Sequence, residues 1–540
     1  MSVGESVALA AAAALVSRLI ALRLHRRWFH QGFIGDSAVH WVIVRTLRRR
    51  PRARWIDEYV IAPEPMSYPT AFHRLAALFP LPVLARRPWL PNLVLWVACI
   101  AAFGGYTAFA ADSLLGLDRT SVVCLALALV LVIPSSAIFL GPAVAYLKLS
   151  ARLLGRLTTA AAVLLLAVGT ATNDVPSLVG AAVAVGFAGI SSVFARQAVG
   201  FGIPLLALAW WDWRPLAVLA GGVVLAAALG RSRFLHGVRH TWMQWGVYRR
   251  LTKSSSFVGG NLSQFVDLEA IRKAVRKRRI WRLILGREPL RAMTMYPEII
   301  VLGVLLASLH RPGSWHWAAP LAVFAGLYVL TSTQRFNHLG EAYRYLEYAL
   351  FLEVPFALAS TLQAWSTWAQ VLTVAAVAGW TAFLVGRIVV RGTWLQKWPE
   401  HDALGSFLAG LNLRPGDTVF PVSMRVGAEV CARVDGVRSF WWQPGIVATS
   451  IYDEFIEEYP YLKRDCRPLF EKYGVTHVVC DKAALARLRW SYDFSDLTVL
   501  AEDANYLAYA VTDSSTGMDG LGRPDPANVS AGPSSSRQRR

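Results

Sequence analysis

Charged residues are scarce in this 540-residue chain: Asp, Glu, Lys and Arg together make 17%, against 55% hydrophobic residues and a mean hydropathy of +0.40. A soluble protein of this length needs more polar surface, so lipid must be part of its solvent. Cysteine is also sparse, five residues with no zinc-ligand spacing. Cys99 and Cys124 fall in apolar runs, while Cys431, Cys466 and Cys480 read as buried thiols, with one disulfide among them as the alternative for an exported domain. The first apolar run, Val7 to Leu22, lacks the basic lead of a cleavable signal peptide and is followed by Arg23 and His25-Arg26-Arg27, as in a retained anchor. What the chain has in excess is positive charge, a formal +20. Most of it lies between apolar runs, which points to anionic or phosphate-bearing lipids as partners and not to nucleic acid.

A bilayer core about 30 Å thick takes about 20 apolar residues in a helix. After Val7 to Leu22 come Leu93 to Ala111 and Val122 to Leu140, then a dense series: Leu157 to Thr170, Val175 to Val193, Val199 to Trp211 and Leu216 to Leu229. Thr172-Asn173-Asp174, Arg196-Gln197 and Asp212-Trp213-Arg214 read as tight polar breaks within that series. Ile299 to Leu309, Ala318 to Leu330, a segment near Tyr348 to Leu362, and Trp368 to Val389 complete the set. The expectation is an α-helical polytopic membrane protein with about eleven transmembrane helices.

Residues 1–392 form the membrane unit, interrupted by long loops at 23–90 and 231–295; long loops carry function more often than short ones. In the first, His40 to Leu47 and Phe72 to Leu78 have the spacing of helices lying in the membrane interface. In the second, Trp242, Trp245 and Tyr248 suit an aromatic belt, and the basic run Arg272 to Arg279 suits headgroups or a solvated face. Residues 393–512 read as a small soluble α/β domain. Its strands are Thr418 to Val422 and Thr476 to Asp481, its helix Tyr452 to Tyr473 stops at Gly474, and Leu497 to Ala501 with Tyr506 to Val511 closes it as a hairpin. The tail, 513–540, is rich in Ser, Gly, Pro and Arg and is expected to be disordered.

The chemistry concentrates in two blocks. The first loop holds Asp36 and His40, four residues apart and so on one helical face, then Glu58, Glu64, Tyr68-Pro69 and His73. Asp36 has a simpler reading as the N-cap of a helix starting at Ser37. The second block, residues 331–348, carries Arg335, Glu341, Arg344, Tyr345 and Glu347 at the end of an apolar run. Charge there costs several kcal/mol unless paired or wet. An internal ion network of Arg344 with Glu341 and Glu347 is the structural alternative.

This arrangement resembles the C-type membrane glycosyltransferases (GT-C), mannosyltransferase- and oligosaccharyltransferase-like enzymes that move a sugar from a polyprenyl-phosphate donor to an acceptor outside the cytoplasm. The resemblance covers most of residues 1–512. It implies Asp36 as the base, from the acid just after the first helix. It implies the Tyr68-Pro69 pair and His73 beside it, and Arg335 or Arg344 at the donor phosphate, where a planar guanidinium suits bidentate contact. His40, Glu58, Glu64, Glu341, Tyr345 and Glu347 complete the substrate-binding candidates. Members that use a divalent metal place a further acid in the second outer loop. Here residues 141–156 contain no carboxylate, so a metal cofactor is not supported there and Glu58 or Glu64 would have to supply any second acid.

Span parity puts 23–90, 231–295, 331–350 and the soluble domain on one side. The resemblance makes that side extracytoplasmic, whereas the excess of Lys and Arg favours the cytoplasm. The second choice carries the alternative function, a polytopic transporter or scaffold with cytoplasmic loops and no catalysis.

Overall fold

The computed structural model describes residues 3–24, 36–61, 63, 65–116, 149–254, 275–277, 314–331, 336–340, 342–349, 365–373, 375–376, 379, 402–422, 424–440, 446, 466–483, 485, 494 and 496–511. The expected spans at 122–140 and 299–309, most of those near 348–362 and 368–389, residues 272–273 and 278–279 of the basic run, residues 452–465 of the expected helix 452–473 and the tail lie outside the described residues, as do Glu64, Cys124, Arg335 and Glu341.

The apolar runs form helices. α1 (Val3–Leu24) packs along α5 (Leu90–Phe109), where Gly104 lets the backbones approach: a Cβ there would stand 2.5 Å from the Ala10 Cβ. Between them the first loop folds into α2 (Asp36–Arg49), α3 (Ala71–Ala76) and α4 (Leu81–Arg86). A tight series follows: α6 (Arg152–Thr172), α7 (Val175–Ser191), α8 (Val193–Trp210), α9 (Arg214–Gly230) and α10 (Ser232–Ser254). Asn173 takes the left-handed conformation at the α6–α7 turn, and the Asp174 carboxylate caps α7 by accepting from the Ser177 N–H at 2.8 Å. α11 (Ser314–Thr331) and the short α12 (Tyr343–Ala349) close this bundle against α6 and α8.

Three described helices are long and apolar enough to cross a membrane, Leu90–Leu114, Arg152–Thr172 and Val193–Trp210, and a fourth candidate is the broken pair of α9 with the first half of α10, bent by 116°. With the apolar composition, these make the chain a membrane protein.

One break differs from expectation. Arg196-Gln197 does not separate two helices; the chain turns at Ser192, which is extended (φ −154, ψ 154) and whose hydroxyl accepts from the Ala195 N–H at 3.0 Å. Ser is the better cap, and the capped helix carries Arg196 and Gln197 inward in its first turns.

The C-terminal unit contains α13 (Ala403–Gly410), β1 (Thr418–Val422), α14 (Met424–Arg433), β2 (Arg438–Ser439), α15 (Arg467–Tyr473), β3 (His477–Asp481), β4 (Thr498–Glu502) and β5 (Tyr506–Ala510). Strand order is β2-β1-β3-β5-β4, with β1 parallel to β2 and β3, and β5 antiparallel to β3 and β4. The alternation of strand side chains divides the core. Val419 and Val479 face Leu404 and Phe407 of α13, whereas Phe420, Val422, Val478 and Cys480 share a second core with the first loop. Gly474 ends α15 in the left-handed conformation (φ 58), and Cys431, Cys466 and Cys480 are buried thiols.

α2 is not an interfacial helix exposed to headgroups: Ala38 to Leu47 are buried in that second core, against α3 and α14. An amphipathic pattern cannot distinguish lipid from a protein partner, and here the partner is the sheet layer. Val60 bridges Ser439 in parallel, with the Ser439 N–H donating to the Tyr59 carbonyl at 3.0 Å, so the first loop covers the exposed edge of β2. Arg45 donates to the Cys431 carbonyl at 2.6 Å and lies 4.4 Å over the Tyr59 ring. Asp435 accepts from the Tyr59 hydroxyl at 2.5 Å and from Arg49 at 2.7 Å. The Arg49 hydrogen bond, then that of Tyr59, brings the Asp435 pKa down to about 2, against the effect of burial.

Candidate functional site

α2 starts at Asp36 and sets His40 one turn later. α3 packs beside it and brings His73 to His40, Nε2 to Nδ1 at 2.8 Å, with both residues buried. One of the two nitrogens must carry the shared proton. Phe72 and Tyr68 wall the pair, their ring centroids each 6.3 Å from that of His40. Burial, with His40 as a second cause, holds the His73 pKa well below the usual 6.5, against a small opposing effect of the Pro69 carbonyl.

This depression has a sign. In the unfolded chain His73 takes up a proton as pH falls through 6.5, while in the folded chain it stays neutral, so its contribution to stability is full above pH 6.5 and is lost below it. The melting temperature should therefore drop as pH is lowered from about 7 to 5, with a smaller drop in His73→Gln. Equal drops in the two proteins would remove His73 as the cause.

Glu58 is placed elsewhere, in a surface ion pair with Arg50 at 3.1 Å that Arg50 also shares with Asp57 at 2.8 Å. In the second block, the Arg344 guanidinium stacks 3.6 Å over the Phe194 ring of α8. Glu347 is buried, and its Oε1 has no hydrogen-bond partner among the described residues. No Arg344–Glu347 ion pair occurs among the described residues, and Glu341, the other acid of the expected network, lies outside them. Tyr345 is also buried and donates to the Leu339 carbonyl at 3.1 Å.

These parts gather at one end of the bundle. Leu149, Ala151 and Leu154, at the start of α6, belong to the core of α2 and α3. Leu153 and Leu157, on its other side, pack in the core that holds Tyr345 and Tyr348. α10 joins them: Arg233 donates to the Ala53 carbonyl of the first loop at 2.8 Å, and residues Asn337–Leu339 pack on this helix. Two buried arginines that the sequence reading passed over sit in the bundle: Arg18, 4.5 Å over the Trp96 ring, and Arg156. The signal for them was an arginine inside an apolar run. Among the described residues no cluster of three His, Cys, Asp or Glu side chains fit to hold a metal ion occurs.

No family model matches the chain, and no curated protein matches it. Among solved structures it is similar to an oligosaccharyltransferase of Archaeoglobus fulgidus in complex with zinc and sulfate, at 15% identity and TM-score 0.40, over 87% of this chain and 68% of that one. It is also similar to the oligosaccharyltransferase AglB of the same organism, in complex with an inhibitory peptide and a dolichol-phosphate, at 13% identity and TM-score 0.44, over 94% and 75%.

Proposed function

We propose that this chain is a multi-pass membrane glycosyltransferase of the GT-C kind, moving a sugar from a polyprenyl-phosphate donor to an acceptor hydroxyl on the side that holds the soluble domain. What supports the reading is the convergence, at one end of the helix bundle, of segments almost 300 residues apart that the GT-C resemblance singles out: the start of α2 with its His40–His73 pair, and α12 with Arg344. In this reading Asp36 takes the proton of the acceptor hydroxyl, whose oxygen bonds to the anomeric carbon as the bond to phosphate breaks. The phosphate leaves with its charge met by Arg335 or Arg344. Tyr68, His73 and His40 shape the acceptor side, and Tyr345 with Glu347 and Glu341 the donor side. Glu58 and Glu64 are reserve acids, and a divalent metal is not required by the step as written.

The direct test is the full chain in liposomes with a labelled polyprenyl-phosphate sugar and a hydroxyl acceptor; labelled glycoside should appear only with the chain present. Labelled donor crossing the bilayer without transfer would instead favour a transporter. An alkaline phosphatase fused after Val511 should be active outside the cytoplasm. An inactive fusion, matched by an active cytoplasmic reporter at the same place, would put the soluble domain inside and remove the assignment of an extracytoplasmic acceptor.

A further inference from the structure

α10 covers an apolar cavity of about 410 Å³ between α7, α8 and α9, walled by Val199, Phe201, Leu219, Val223, Val238 and Trp245. That is the space of roughly fourteen groups of water size at about 30 Å³ each, and a methylene is of similar size. Toward the lipid side, Val223, Leu235 and Trp242 are exposed.

The polar end of the cavity is cationic. Arg196 donates through Nε and Nη2 to the Gly189 carbonyl at 3.1 and 3.0 Å, and through Nη1 to the Thr241 hydroxyl at 3.5 Å. It has five N–H groups, so donors remain. Its guanidinium lies against Gly237, where a Cβ would stand 2.9 Å from Nη1.

Arg196 has no carboxylate partner among the described residues, whereas Arg45, Arg49, Arg50, Arg214 and Arg433 each do. The Trp245 indole N–H, in the cavity wall, is buried with no acceptor among the described residues. A buried cation with donors to spare and an orphan indole N–H in the wall of an apolar cavity call for a ligand with acceptor oxygens, negative charge and a hydrocarbon chain.

We infer that this cavity binds one anionic glycerophospholipid of the bilayer, an acyl chain within it and the phosphate at Arg196. The bend of 116° between α9 and α10 turns α10 away from the direction of the span, as a helix at headgroup level requires, and Trp242 and Trp245 suit that level. A polyprenyl chain, several times longer, exceeds the cavity. The site stands independently of sugar transfer.

The test is native mass spectrometry of the full chain in mild detergent with phosphatidylglycerol, phosphatidylcholine, undecaprenyl phosphate or inorganic phosphate. One phosphatidylglycerol should be retained, about tenfold more tightly than phosphatidylcholine, equivalent to ~1.4 kcal/mol. Arg196→Gln, which removes the cation of the cavity wall, should remove most of that preference. Gly200→Phe, at a cavity position where a Cβ meets nothing within 4 Å, should abolish retention of the lipid. Equal retention of phosphatidylcholine, displacement by undecaprenyl phosphate or by inorganic phosphate alone, or unchanged retention in both variants would overturn the inference.

Discussion

Asp36→Asn should lower the rate of sugar transfer by about a hundredfold to ten-thousandfold at equal folded protein, roughly 3 to 5 kcal/mol of barrier. The substitution keeps the size of the side chain and its capacity to accept a hydrogen bond, so a helix cap at the start of α2 would survive with a loss of at most about 1 kcal/mol. A base would not survive it, because an amide cannot take the proton of the acceptor hydroxyl. The comparison needs Glu58→Gln beside it. Glu58 is half-exposed and paired with Arg50, and losing a surface pair of that kind changes stability by about 0 to 1 kcal/mol. Transfer from a labelled polyprenyl-phosphate sugar, measured for both variants in liposomes, separates the roles: near-normal turnover in Asp36→Asn returns that residue to capping.

Phe72→Ala should destabilise the extramembrane layer by about 3 to 5 kcal/mol, the range for an aromatic removed from a packed core. Phe72 is fully buried, beside the His40–His73 pair and in the core that the first loop shares with the sheet. Leu78→Ala is the control. Leu78 is 72% exposed, and a surface change of this kind stays within about 0.5 kcal/mol. Thermal unfolding in detergent, followed by tryptophan fluorescence, should show a lower transition for Phe72→Ala only. Similar transitions for both variants would mean that the first loop does not depend on this core. Because His73 follows Phe72 directly, a loosened core should also weaken the pH dependence that the buried pair imposes.

The sequence alone determined those features that depend on a local preference. Runs of 13 or more apolar residues became helices α1, α5, α6, α7, α8, α9 and α11, because lipid leaves a backbone no cheaper way to satisfy its polar groups. The hairpin residues Asn173 and Asp174 and the helix stop at Gly474 were equally legible, since each rests on a conformation or cap that few residues supply. β1, β3 and the closing hairpin followed from short β-branched and aromatic runs.

What only the tertiary structure decided is which surfaces meet. The pattern of α2 asked for an apolar partner and did not say whether it was lipid or protein; the choice of α14 and the sheet lies in contacts nearly 400 residues apart, such as Arg45 with Cys431. Arg196 read as a break between helices because a charge in an apolar run costs several kcal/mol. The fold instead buries it beside the Gly189 carbonyl, a partner that sequence spacing cannot show. The pairing of His40 with His73 and the stacking of Arg344 on Phe194 are of the same kind. Local sequence sets the direction in which a side chain leaves its helix, whereas its partner is set by how the helices pack.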